Sequence, residues 1–357
     1  MPRKTSAGGI ADLEAARVPP HVKDRLNPKD LKDARRAAFP DKIAPMLATL
    51  TDKPFSADDW YFEPKLDGFR IIAFVNQGKI KLQSRGGLDV TDHYPSIVAE
   101  LEKISGLPMV IDGEVIALDD AGHPCFQCLQ NHLKALRQSD ERESIIYYVF
   151  DMIHLDGYDI THVPLEQRKV LLDQNLASGK HARLIAHFAG DGKAVYEAAL
   201  DQGMEGVVAK RMDSVYQIGR RSTSWLKIKG TLSDEFVIGG YTQGTGARAS
   251  TFGALLVGQY AGGKLIYSGH VGTGYNDETL EDLLRRLSAI KTDEMPFAEK
   301  PPMSNGVQWT PPKLVAEVKF AQWTQEGYLR VPVFLRLRDD KAASEVHRQK
   351  VVPPPQK

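Results

Sequence analysis

Short apolar runs, some strictly alternating and some continuous, recur along most of the chain and sort into two textures. Between residues 45 and 229, Phe69–Val75, Met109–Ala117, Ile145–Phe150 and Gly206–Ala209 read as strands. Tyr94–Ile104, Leu165–Leu176 and Gly192–Gln202 carry the wider spacing of helices. The strands follow one another as hairpins with helices on the flanks, which predicts α+β architecture rather than strict βαβ alternation. After Lys229 the runs Phe236–Tyr241, Gly253–Tyr260, Lys264–Val271 and Leu314–Phe320 are separated by Gly-rich turns, with one helix near Glu278–Ala289. About five strands with a helix inserted predict a small Greek-key barrel of the OB type.

The flanks differ from this interior. Residues 1–40 are polar and interrupted by prolines, and read as an N-terminal arm or linker in which Lys29–Arg36 could form a short helix. The predicted domains are 41–231 and 232–345, followed by a Pro-rich tail, 346–357, expected to be disordered. The chain has 357 residues, long enough for two cores. Lys+Arg and Asp+Glu both number 46, so the zero net charge does not itself encourage a nucleic-acid reading, and any basic surface must be local.

The two cysteines, Cys125 and Cys128, exclude a disulfide scaffold. One CxxC also lacks the second ligand pair of a tetrahedral zinc site, so they are expected as two half-buried thiols near a helix start. No apolar stretch approaches the length of a signal sequence or a membrane span. A soluble, cytoplasmic monomer with no membrane partner is expected.

The candidate chemistry begins at Glu63-Pro-Lys-Leu-Asp-Gly-Phe-Arg70. A lysine is a nucleophile only when deprotonated, and neighbouring cations or loss of water free its lone pair. Gly68 would let the backbone turn tightly beside a ligand. Taken alone, Lys65 reads as a surface lysine in an acidic turn.

Its possible partners lie downstream. Ser84-Arg-Gly-Gly87 offers Arg85 beside flexible backbone, and Val110-Ile-Asp-Gly-Glu-Val115 places Glu114 on an apolar strand. Tyr148-Val-Phe-Asp151 presents Phe150, and Glu205-Gly-Val-Val-Ala-Lys210 supplies an acid and a lysine. In Trp225-Leu-Lys-Ile-Lys229 the alternation puts Lys227 and Lys229 on one strand face, where they suit a phosphate. Each has an ordinary reading: core for Phe150, a turn cap for Glu114, solvated charge for Glu205, a wet sheet face for the lysines. Their order and spacing are what set them apart.

In this order the segments resemble nucleotidyltransferase motifs I, Ia, III, IIIa, IV and V of the ATP-dependent DNA ligase superfamily. Arg336-Leu-Arg-Asp-Asp-Lys341 resembles motif VI. Text between the motifs, such as Met46–Leu50, Pro164–Arg168, Tyr216–Arg221, Gly269–Gly274 and Trp323–Gly327, is similar to the ligase domain of bacterial ligase D, the end-joining enzyme that works with Ku. The resemblance covers residues 41–341. It implies a nucleotidyltransferase domain of ATP-grasp-like mixed α/β build followed by an OB-fold β-barrel.

The resemblance also implies a mechanism. Lys65 attacks the α-phosphorus of ATP, releases pyrophosphate and carries AMP to a DNA 5′-phosphate, after which a 3′-hydroxyl seals the break. It places Glu63 by the adenine, Phe150 stacked on the ring and Glu114 on the ribose. Arg70 and Arg85 would approach the sugar and phosphates, including the DNA 5′-phosphate. Glu205 would hold Mg²⁺ or Mn²⁺, while Lys227 and Lys229 grip the α-phosphate. Arg338 and Lys341, positioned by Asp340, would reach the pyrophosphate when the domains close. The implied partners are nicked or broken double-stranded DNA, Ku and an end-joining polymerase, at the bacterial nucleoid. The alternatives are an RNA ligase or guanylyltransferase of the same motif set, and a non-catalytic DNA-end-binding module.

Overall fold

The computed structural model describes residues 25–104, 106–120, 122–135, 144–302, 306–324, 326–348 and 351–355; the rest of the expected arm, 1–24, lies outside the described residues. The chain divides into two compact units, Met1–Gly230 with Lys350–Lys357, and Thr231–Gln349.

The first unit carries β1 (Arg35–Arg36), β2 (Leu47–Thr51), β3 (Ala57–Lys65), β4 (Phe69–Asn76), β5 (Lys79–Ser84) and β6 (Met109–Leu118). It continues with β7 (Ser144–Leu155), β8 (Tyr158–Asp159), β9 (Ala182–Leu184), β10 (Phe188–Gly190), β11 (Gly206–Arg211) and β12 (Arg221–Lys229). Its helices are α1 (Pro95–Glu102), α2 (Phe126–Ala135), α3 (Leu165–Asn175) and α4 (Gly192–Asp201). The second unit holds β13 (Ser233–Gln243), β14 (Phe252–Ala261), β15 (Lys264–Val271), α5 (Asp277–Ala289), β16 (Val307–Trp309) and β17 (Val315–Lys319). It ends with β18 (Gln322–Trp323), β19 (Leu329–Arg330) and β20 (Val333–Leu337), and the chain then reaches β21 (Val351–Val352).

Two sheets face one another in the first unit. One has the order β1-β8-β7-β6-β4-β5, with β9 beside β7; the other runs β10-β3-β11-β12-β2-β21. Alternation along β4 explains the layering: Ile72 and Phe74 join the core that also contains Phe62, Val207 and Trp225 of the second sheet. Ile71, Ala73 and Val75 face the other way, into a core with Ile97 and Leu101 of α1 and Leu171 of α3. The α+β expectation holds, and so do the predicted strands and helices within a few residues.

The flanks do not follow the expectation. Lys29–Arg36 is no helix: Pro28–Asp30 forms one 3-10 turn capped by Asn27, and Arg35 and Arg36 then pair with Asp159 and Tyr158. The free edge of β8 takes those backbone groups, and the Arg36 guanidinium lies 5.5 Å from the Tyr158 ring centre. The tail expected to be disordered contains β21, in which Val351 and Val352 pair in parallel with Leu50 and Thr51. Val352 packs against the first core, so both the edge of β2 and an apolar side chain are covered. Cys125 and Cys128 are a disulfide rather than two thiols, because the start of α2 holds their Cα atoms 5.2 Å apart, within disulfide reach.

In the second unit β15-β14-β13-β17-β20 form an antiparallel sheet with β16 added to β13. α5 inserts Leu280, Leu283 and Leu287, at helical spacing, into a core with Phe236, Phe252 and Val257, and Asn276 caps it through Thr279 N. No ladder among the described residues joins β15 to β20, so the expected barrel stays open at that seam.

At two glycines near Lys65 the packing leaves no room for a side chain. Gly68 is needed for a reason other than a turn: a Cβ there would lie 2.1 Å from Val115 O of β6. Gly206 opens β11 at φ +145°, and a Cβ would lie 2.0 Å from Ile228 O. Gly206→Ala is expected to cost about 2 kcal/mol or more, because strained backbone and a backbone clash coincide. A thermal melt of the variant within a degree of wild type would contradict this.

Candidate active site

β11 lies between β3 and β12, and the register sets Gly206 opposite both Lys65 and Lys229. Glu205, the residue before that rung, therefore sits between two lysines. Its Oε2 accepts from Lys65 Nζ, and its Oε1 lies 2.8 Å from Lys229 Nζ. Burial alone would raise the Glu205 carboxyl, but the two ammonium groups reverse this and hold it far below the usual carboxylate range. Lys227 lies one alternation before Lys229 on β12, opposite Val208. The structure thus brings Lys65, Glu205 and Lys229 together, with Lys227 on the same strand face.

Glu63, two positions before Lys65 on β3, is almost fully buried. It pairs with Lys169 of α3 and, at 2.7 Å, with Lys210 of β11. Desolvation opposes its charge, yet Lys169 and Lys210 hold its carboxyl below the ordinary value. Lys210 is pushed from 10.5 down to about 8, chiefly by burial and against the pull of Glu63. Its Nζ lies 4.1 Å from the ring centre of Phe150 and 4.2 Å from that of Trp225, close enough for cation–π attraction.

Arg70 is engaged within the protein. Its Nε and Nη2 form a fork on Asp112, at 2.5 Å each, and its Cζ lies 4.4 Å from the Phe150 ring centre. Tyr216 donates to the same carboxylate at 2.6 Å and accepts from Met46 N. With Nη2 also donating to Met46 O, Nη1 is the one guanidinium nitrogen of Arg70 without a hydrogen bond among the described residues. Glu114 lies opposite Arg70 and Tyr148 in the sheet and is half-buried. Arg85, half-buried in the turn after β5, has no hydrogen bond or ion pair among the described residues. Phe150 is 7% exposed, so the site reaches little of its ring surface.

Behind these groups, fully buried Arg168 forks onto Asp151 at 2.8 Å for both bonds and donates to Val163 O and Ser214 O. The Asp151–Arg168 pair braces the middle of β7, next to Phe150. Sequence reasoning missed Lys169, Asp112 and Trp225 as site residues and left Lys210 without a role. Two signals were available: Asp112 shares strand parity with Glu114, and Trp225 with Lys227 and Lys229. Lys169 gave none, since its partner Glu63 is remote in sequence.

In the second unit, Arg338 forks onto Asp340 at 2.8 Å for both bonds. Its Nη1 lies 3.1 Å from Glu235, and Lys341 Nζ lies 3.0 Å from the other oxygen of Glu235. Burial would weaken the Arg338 charge, but Asp340, Glu235 and Glu317 keep it protonated.

The ATP dependent DNA ligase domain matches residues 45–229, more than half of the chain, and the ATP dependent DNA ligase C terminal region matches 248–341. The multifunctional non-homologous end joining DNA repair protein LigD of Mycobacterium tuberculosis is 39% identical over 324 residues, 90% of this chain and 42% of that protein. The LigD protein of Pseudomonas aeruginosa is 36% identical over 332 residues, 91% of this chain and 39% of that one. The chain thus spans well under half the length of these curated relatives. A solved mycobacterial DNA ligase D complexed with ATP and MES is 37% identical, with a TM-score of 0.60, covering 86% of this chain and 98% of that one.

The Lys210 shift fixes a pH dependence. Between about pH 8 and 10.5 the unfolded chain keeps a proton that the folded chain has released, so this group's contribution to stability rises with pH across that window. Wild-type stability minus that of Lys210→Met, from urea melts, is expected to rise there by at most about 1.4 kcal/mol per pH unit. A flat difference would show that Glu63 keeps Lys210 protonated. By its motif order, its matched domains and its relatives, the chain belongs to the ATP-dependent DNA ligase family.

Proposed function

We propose that the chain seals 3′-hydroxyl/5′-phosphate breaks in double-stranded DNA through an AMP bonded to Lys65. The observation that carries this reading is the rung on which Lys65, Glu205 and Lys229 meet. A nucleophilic amine, a carboxylate and a second cation at neighbouring strand ends suit transfer of a phosphorus centre.

Lys65 Nζ gives up its contact with Glu205, loses a proton to water, attacks the α-phosphorus of ATP, and forms a P–N bond as the P–O bond to pyrophosphate breaks. Lys229 and Lys227 neutralise charge on the α-phosphate in the transition state. Arg338 and Lys341, oriented by Asp340, stabilise the departing pyrophosphate. The adenine lies by Glu63 and Phe150 and the ribose by Glu114. Arg85, whose guanidinium has no hydrogen bond or ion pair among the described residues, is better suited than Arg70 to the DNA 5′-phosphate. AMP then passes to that phosphate, and the 3′-hydroxyl displaces it.

Among the described residues no three His, Cys, Asp or Glu side chains converge as a metal cage. Glu205, a single carboxylate now shared by Lys65 and Lys229, would hold Mg²⁺ or Mn²⁺ with phosphate oxygens and water completing the shell, the usual habit of the smaller ion. When bound, the ion supplies charge neutralisation at the phosphates. The similarity to proteins named for non-homologous end joining supports a role in end joining. We propose with it Ku and an end-joining polymerase as partners of a cytoplasmic monomer. No helix among the described residues is long and apolar enough to cross a membrane.

Incubation with ATP labelled on the α-phosphate and Mg²⁺ is expected to label the wild-type protein. Lys65→Ala should abolish labelling, and Glu205→Gln should reduce it by about 10²-fold, as for loss of one stabilising group at a charged transition state. Chelating the metal with EDTA should stop it. Absence of label in the wild type, or label persisting in Lys65→Ala, would refute the reading. Labelling with GTP in place of ATP would point to a guanylyltransferase.

A further inference from the structure

Glu235, on β13, faces Glu317, on β17, directly across the sheet, and Glu317 in turn faces Arg336 on β20. Two carboxylates opposite one another in an antiparallel pair repel, and such a pair persists only where cations occupy the space beside it. Here Arg336 meets Glu317 at 2.5 Å, and Arg338 Nη1 lies 3.1 Å from Glu235 and 3.8 Å from Glu317. The second oxygen of Glu235 is 3.0 Å from Lys341. Glu235 and Glu317 are mostly shielded from solvent, at 15% and 6% side-chain exposure, so these contacts are little screened.

We propose that Glu235 is a positioning residue for adenylylation, holding Arg338 and Lys341 as one unit through the two oxygens of a single carboxylate. The inference rests on the role proposed above for those two cations at pyrophosphate. Arg338 and Lys341 carry like charge and sit on a short turn closed by Lys341 N donating to Arg338 O. Without a shared anion they repel and swing apart. Asp340 cannot replace Glu235, because its fork already holds the other side of the Arg338 guanidinium. Glu317 braces the same guanidinium from the neighbouring strand but lies closer to Arg336. Glu235 therefore sets the spacing of the two cations, while Asp340 sets the plane of one of them.

The consequence is specific to one step. Pyrophosphate is present only when Lys65 is adenylylated; closing a nick whose 5′-phosphate already bears AMP involves no pyrophosphate. Glu235→Gln keeps shape and one acceptor but loses the charge. It is expected to lower the rate of Lys65 adenylylation about tenfold and to raise the KM for ATP severalfold, as for loss of one oriented charged contact. Its sealing of pre-adenylylated nicked DNA should stay within about twofold of wild type, and Glu235→Asp should recover part of the adenylylation rate.

Adenylylation by Glu235→Gln at the wild-type rate and KM overturns the inference. So does an equal loss in both steps, which would mark Glu235 as structural only. If Glu235→Gln does not fold, as judged by circular dichroism, Glu235→Asp decides alone: slower adenylylation with sealing kept supports the inference, and unchanged adenylylation overturns it. Failure of the wild type to take up label would instead remove the proposed function beneath it, and that outcome is read from a separate arm.

Discussion

Glu63 loses its water on entering the space between the two sheets of the first unit, and it receives two ammonium groups in exchange. The same trade recurs around it: Asp112 meets Arg70, Asp151 meets Arg168, and Glu205 meets Lys65 and Lys229. A buried charge left without a partner costs several kcal/mol, about 3–5 when one member of such a pair is removed. Each acid therefore fixes where its cation must lie. The strand order of β3, β11 and β12, the approach of α3 and the placement of Phe150 all answer to this requirement. Replacement by apolar side chains of similar volume could serve stability as well. What such a replacement could not supply is an array of charges held at fixed positions around Lys65.

Most of the architecture was legible because strand and helix periods are local. Ile71 to Val75 alternate between two cores, and that alternation is written in five consecutive residues. The Lys227/Lys229 face was legible for the same reason. Pairings set by topology were not. Nothing near Glu63 announces Lys169, and nothing near Arg70 states that Asp112 will occupy its fork. The sequence shows the Arg70 guanidinium but not the carboxylate beside it. The disulfide of Cys125 and Cys128 went unseen for a related reason: spacing offers a thiol pair, while the helix start determines how closely the two residues approach.

The second unit solves a comparable problem with another geometry. The first unit places one acid between two lysines at the open ends of neighbouring strands. The second lines up two acids across a sheet and lays cations over them. In both cases antiparallel register does the positioning, since residues on facing strands are held at fixed separation. A sheet is a stiffer ruler than a loop, and groups that must meet a phosphate at a defined spacing benefit from it.

β21 gives the fold an unusual order of assembly. The sheet that carries Lys65 is built from segments between residues 47 and 229, yet its edge beside β2 is covered by Val351 and Val352. All of the second unit lies between those segments in the chain, so that unit is an insertion in the covalent path of the first. During synthesis the Lys65 sheet can form five of its strands early, but β2 stays an open edge until the whole second unit has been made. Pairings between residues so far apart in sequence close large loops and form late. In a growing chain the sheet of Lys65 therefore passes through a stage in which a β-edge next to Lys227 is free to bind other extended polypeptide.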